Sequence, residues 1–160
     1  MRKMFLFITL SLITINCDAT DHSGDEMLSY ISIAPGTTTQ AKVTTMLGTP
    51  SKIEENKKRT LWYYNNNDNR LVISWNRNSD LVGFSFTSLA AQKTVFDNSI
   101  SAKLHSGATD IAQAIKLLGM PRDMVLKEGT QEVHYAYLNS VLRLFFRDRV
   151  LVDYTLLSQN

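Results

Sequence analysis

GTTTQAKVTTMLGTP at Gly36–Pro50 returns as GATDIAQAIKLLGMP at Gly107–Pro121. Gly36, Ala41, Leu47, Gly48 and Pro50 each reappear 71 residues on, as Gly107, Ala112, Leu118, Gly119 and Pro121. The correspondence runs downstream at the same offset. Tyr64 falls opposite Tyr135, Leu71 opposite Leu142, Ile73 opposite Leu144 and Trp75 opposite Phe146. Self-similarity at a fixed period marks one structural unit used twice, so function is to be read from that unit.

Working outward, each quoted stretch reads as a helix with a stop. Thr39 caps a helix over about residues 40–47, Ala41, Val43, Met46 and Leu47 give it a buried side, and Gly48 ends it with Pro50 beyond. In the second copy Asp110 is the N-cap and Gln113 stands three residues later, a capping-box spacing. Ala114, Ile115, Leu117 and Leu118 form its apolar side. A short helix over Met27–Ile33 precedes Pro35-Gly36. After each helix the apolar period changes from 3.6 to 2. TLWYYN (60–65), LVISWN (71–76) and LVGFSFT (81–87) predict three strands joined by polar turns, and 132–138, 141–146 and 150–157 repeat them. The expected fold class is α+β: two tandem helix-helix-β-meander units, with an antiparallel sheet covered on one face by helices. The units span 27–87 and 104–160, with a linker at 88–103 that reads as a connecting helix or an irregular segment.

The N-terminus predicts export. Arg2 and Lys3 precede an apolar run of twelve residues, Met4 to Ile15. That is short of the about 20 residues a membrane-spanning helix needs and has the proportions of a signal sequence. The run ends at Cys17, the chain's one cysteine. Residues 1–16 then read as a lipoprotein-type signal peptide, Cys17 as the lipidated first residue, and 17–26 as a flexible polar tether. Cleavage after Ala19 is the other reading and leaves a soluble periplasmic or secreted protein. A lipid-anchored protein faces the periplasm, with the outer membrane favoured over the inner.

Losing Arg2 and Lys3 brings the 17 basic residues to 15, equal to the 15 acidic ones, so no positive field remains to favour nucleic acid or anionic lipid. Lys57-Lys58-Arg59 follows Glu54-Glu55 and reads as a solvated loop or strand edge. With Cys17 lipidated or removed no internal disulfide is available, and packing alone must stabilise the chain.

The helix, the L-G-x-P stop (Leu47-Gly48-Thr49-Pro50, Leu118-Gly119-Met120-Pro121) and the aromatic strand Leu61-Trp62-Tyr63-Tyr64 together resemble the SmpA/OmlA (BamE-like) lipoprotein domain family. In tandem, the units are similar to the β-lactamase inhibitor protein fold. The first resemblance implies an accessory role in outer-membrane assembly. The second implies a sheet that grips an enzyme. Lys42-Val43 and Gln113-Ala114 stand where the first family usually has Gln-Val, so only the second copy keeps the Gln.

No catalytic constellation is legible. His22, His105 and His134 lie in unrelated segments without metal-ligand spacing, and Asp110 is accounted for as a helix cap. The chain is read as non-enzymatic, with no cofactor, no metal and no small-molecule substrate. Alternation puts Leu71, Ile73, Trp75, Leu142, Leu144 and Phe146 on the covered face of the sheet. Tyr63, Ser74, His134, Arg143 and Phe145 then point outward as candidate partner-binding residues. Aromatic residues and Arg on an exposed sheet are interface chemistry; burial of Tyr63 and Phe145 under the other unit is the competing reading. The expected function is protein–protein binding in outer-membrane or envelope assembly; the alternative is an exported inhibitor or immunity-type protein that blocks an enzyme or toxin through the exposed sheet face.

Overall fold

The computed structural model describes residues 29–66, 68–89 and 94–158. The signal segment, Cys17, His22 and the tether lie outside them. Eight strands form one antiparallel sheet in simple meander order, each beside its sequence neighbour. They are β1 (Lys52–Glu55), β2 (Arg59–Asn65), β3 (Asn69–Asn76), β4 (Leu81–Ser88), β5 (Asp123–Lys127), β6 (Thr130–Ala136), β7 (Ser140–Arg147) and β8 (Val150–Ser158). Two α-helices of eight residues accompany it, α1 (Gln40–Leu47) and α2 (Ile111–Leu118), with a 3-10 helix at Asn98–Lys103.

This corrects the expected fold class. The chain is mostly one continuous eight-stranded sheet with few short helices, not two helix-helix-β units. Each half has four strands instead of three, and among the described residues one eight-residue α-helix. Of the helix expected at 27–33, only a turn at 29–31 falls within the described residues. The strands missed were β1 and β5. SKIEEN offers one apolar residue, Ile53, and DMVLK carries three apolar residues in a row, so neither alternates in sequence. Pairing fixes them: β1 on β2, and β5 between β4 and β6.

The helix caps follow the sequence. The Thr39 side chain accepts from the Lys42 N–H at 3.2 Å. Asp110 accepts from the Gln113 N–H at 2.8 Å, and Gln113 Oε1 accepts from the Asp110 N–H at 2.9 Å, a complete capping box. Gly48 and Gly119 end the helices at φ +76° and +80°, where a side chain is strained. Ala41 faces solvent, so α1 buries Val43 fully and packs Met46 and Leu47 only in part.

Individual bonds recur with the 71-residue offset. Ala34 N–H donates to Thr38 Oγ1 at 2.9 Å, as His105 N–H does to Thr109 Oγ1 at 2.9 Å. Ser51 N–H reaches Tyr63 O at 2.8 Å, and Arg122 N–H reaches His134 O at 2.9 Å. Asn66 N–H reaches Asn69 O at 3.0 Å, and Tyr137 N–H reaches Ser140 O at 2.8 Å. Both halves also break register at one place: Val82 is the extra residue opposite Ser74–Trp75, and Val152 the extra residue opposite Phe145–Phe146.

One apolar cluster joins the halves. Leu71, Ile73, Trp75, Phe84, Phe86, Met124, Val133, Leu142, Leu144 and Phe146 lie on the covered sheet face with Ile31, Ile33, Val43, Leu104, Ile111, Ala114 and Leu118. The segment before Pro35 crosses to the second half, where Arg149 donates from Nη1 to the Ile31 carbonyl at 3.2 Å. No helix among the described residues is long and apolar enough to cross a membrane.

Candidate functional site: the uncovered face of the sheet

Strand alternation leaves one sheet face outside the core, and its side chains are half-buried or exposed from edge to edge. A single ladder row crosses it through all eight strands: Lys52, Tyr63, Val72, Ser85, Val125, Glu132, Phe145 and Asp153. A second row runs Glu54, Leu61, Ser74, Gly83, Lys127, Thr130 and Arg147. All five residues singled out in the sequence stand on this face. They are not one cluster. Tyr63 on β2 and Phe145 on β7 share a row but are five strand spacings apart, about 24 Å. His134 and Arg143 are cross-strand neighbours beside Phe145, while Ser74 lies toward the centre.

The middle of the face is a depression of about 570 Å³ lined by Arg59, Val72, Ser74, Val82, Ser85 and Val125 among others, with Gly83 in its floor. Gly83 is there for space. A Cβ on it would stand 2.3 Å from the Leu126 carbonyl oxygen on β5, so the two halves of the sheet approach where no side chain intervenes. Ser74 Oγ is buried with no hydrogen-bond partner among the described residues. Val125 and Gly83 escaped the sequence reading, and Val72 was read as outward but not as a binding residue. Val72 is plain in type, and Val125 could not be placed without β5.

The two ends of the face differ in charge. At the β1 end Tyr63 donates its hydroxyl to Glu54 Oε2 at 2.7 Å, Lys52 pairs with Glu54, and its ammonium lies 5.6 Å from the Tyr63 ring centre. The hydrogen bond from Lys52, then that from Tyr63, holds the Glu54 carboxyl below its ordinary value. Glu54 in turn raises Tyr63 and Lys52. At the β7 end His134 Nε2 lies 3.3 Å from Glu132 Oε2, and Arg143 is exposed opposite His134. Lys57 and Lys58 sit in the exposed β1–β2 turn and Arg59 opens β2. Among the described residues no group of three or more His, Cys, Asp or Glu is placed to hold a metal ion.

Among solved structures the chain is similar to a candidate β-lactamase inhibitor protein from Streptococcus mutans, with a TM-score of 0.52 at 15% identity over 82% of this chain and 94% of that one. The likeness shows the fold. A DUF4309 family protein from Bacillus subtilis (12% identity, 84% of this chain and 93% of that one) and a cysteine-rich secretory protein from Staphylococcus aureus (9%, 73% and 42%) reach TM-scores of only 0.31 and 0.29. No family model matches the chain, the SmpA/OmlA domain included, and no curated protein matches it.

Proposed function

We propose that this is an exported, non-enzymatic binding protein that holds a partner protein against the uncovered face of its sheet. The observation that carries the reading is the central depression, floored by Gly83 and rimmed by Val72, Val82 and Val125, with an aromatic residue and an arginine on the same face. A cavity open to one side of a rigid sheet takes a projecting loop of a folded partner, and aromatic and Arg side chains around it supply anchoring contacts. The fold likeness favours an inhibitor-type partner, an enzyme or toxin blocked by occupation of its surface, and a β-lactamase is the first enzyme to assay. A second reading, an envelope-assembly lipoprotein, is favoured by one feature, the Cys17 signal.

The test is a pull-down from solubilised envelope with tagged wild type beside Val125→Arg, Arg143→Ala and Phe145→Ala. Expected is one discrete protein, lost with Val125→Arg and weakened by at least one of the other two, whose activity falls on addition of the wild type. Capture of barrel-assembly components supports the second reading. Retention of the same partner by all three variants sinks the assignment of the face.

A further inference from the structure

The halves join where β4 pairs with β5, and the edge strands β8 and β1 hold the corresponding places, largely without a partner among the described residues. β8 holds in the second half the position of β4 in the first: Phe145 faces Asp153 as Ser74 faces Gly83, each beside a bulged valine. β1 holds the position of β5, since Lys52–Glu55 precede Asp123–Leu126 by the 71-residue offset. The segment Gly107–Ile111 covers the β8 edge only as far as Leu151, through Gly107 N–H to Leu151 O at 2.7 Å and Leu151 N–H to Thr109 O at 2.8 Å. We propose that the remaining β8 edge and the β1 edge form a head-to-tail strand-pairing surface for a second copy of this chain, and that Asp153 and Glu55 hold it closed.

The internal junction is the template. There Gly83 faces Lys127, Phe84 faces Leu126, Ser85 faces Val125 and Phe86 faces Met124. A second copy docked the same way sets Asp153, Tyr154, Thr155 and Leu156 against Asn56, Glu55, Glu54 and Ile53. Leu156 against Ile53, which is 51% exposed in the free chain, reproduces the apolar Phe86–Met124 pair. The other positions obstruct. Asp153 puts a Cβ where the internal junction has Gly83, a place at which an added Cβ would stand 2.3 Å from the Leu126 carbonyl oxygen across the pair. Its carboxylate also accepts the Tyr154 N–H at 2.8 Å, and Tyr154 matches Phe84, a residue that pairs with β5. Glu55 replaces the buried Leu126, so docking would cover an unpaired carboxylate. A charged side chain on an exposed, mostly apolar, nine-residue edge strand is a recognised block to edge-to-edge pairing. A joint between two different edges is head to tail and leaves an edge open on each copy, so its release adds further copies until a ring closes or a chain grows.

The test measures mass by light scattering on the full chain in detergent, for wild type, Asp153→Asn, Asp153→Gly and Asp153→Gly with Glu55→Leu, over a wide range of concentration. Wild type and Asp153→Asn keep one mass throughout. The double variant grows beyond dimer as concentration rises, and Asp153→Gly shows the same trend more weakly. A double variant of constant monomeric mass overturns the proposal, as does a wild type that already forms chains. Loss of the strand signal in circular dichroism counts against it equally, because glycine already occupies the matching place in β4.

Discussion

Gly83 and Tyr135 show how single positions carry the consequences of building a sheet from two similar halves. Gly83 has an unremarkable backbone, so only space demands glycine there. Gly83→Ala forces the β4–β5 junction apart, and the expected cost is about 1–3 kcal/mol in denaturant unfolding. Tyr135 is 2% exposed with its hydroxyl unpartnered among the described residues, and burial pushes its phenol far above the ordinary value. The matching Tyr64 places its hydroxyl 3.3 Å from the Gly48 carbonyl. Removing a buried, unpaired hydroxyl relieves a desolvation penalty, so Tyr135→Phe is expected to be as stable as wild type or up to about 2 kcal/mol more stable. A clear loss of stability contradicts that reading. The Lys52–Glu54–Tyr63 group gives a pH dependence. Glu54 is depressed below its ordinary 4.5, so its contribution is present above that pH and disappears as pH falls through the lower folded value. Tyr63 is raised above 10.0, so its contribution holds below pH 10 and disappears as pH rises through the folded value. A carboxyl-carbon NMR titration should place the Glu54 midpoint below 4.5 and move it upward in Lys52→Ala. A wild-type midpoint at or above 4.5 excludes the cluster.

Helix α2 and strands β1 and β5 divide what the sequence reveals from what it hides. The capping box of α2 involves residues three apart, so it is visible in the chain, and Asp110→Ala is expected to cost about 1 kcal/mol, measured by thermal or denaturant unfolding. Thr39→Ala at the simpler cap of α1 should cost less, since one bond is lost instead of two. Strands β3, β4, β6 and β7 were legible because one face of each is buried, which writes a period of two into the residues, while β2 and β8 bury only Trp62 and Leu151 and were legible from their aromatic and β-branched composition. β1 was not, because it is an edge strand whose residues all lie at least partly in solvent. In β5 the outward Val125 is as apolar as the buried Met124 and Leu126, which erases the alternation. Missing β5 hid the strand through which the two meanders join, and with it the central depression. The outward direction of Tyr63, Ser74, His134, Arg143 and Phe145 was readable by parity; that they span most of the sheet's width instead of clustering depends on pairing order and was not.

At the scale of the whole molecule, the sheet has one face committed to the apolar core and the other left to solvent. The two halves share bonds and bulges, and their strands match in length to within one residue, yet their outer faces differ. The first half sets Leu61, Tyr63 and Val72 beside the Lys52–Glu54 pair, whereas the second sets Glu132, His134 and Arg143 beside Phe145. A partner gripped across β4–β5 would meet both, which suits a single oriented complex better than two equivalent ones. The most direct test puts a photo-crosslinking side chain at Val125, in the depression, or at Lys116, exposed on α2 on the opposite layer, in cells that produce the protein. A discrete protein adduct from position 125 and none from 116 is the expected result. Adducts from 116 alone, or equally from both positions, would place the binding surface elsewhere and contradict the role assigned to the sheet.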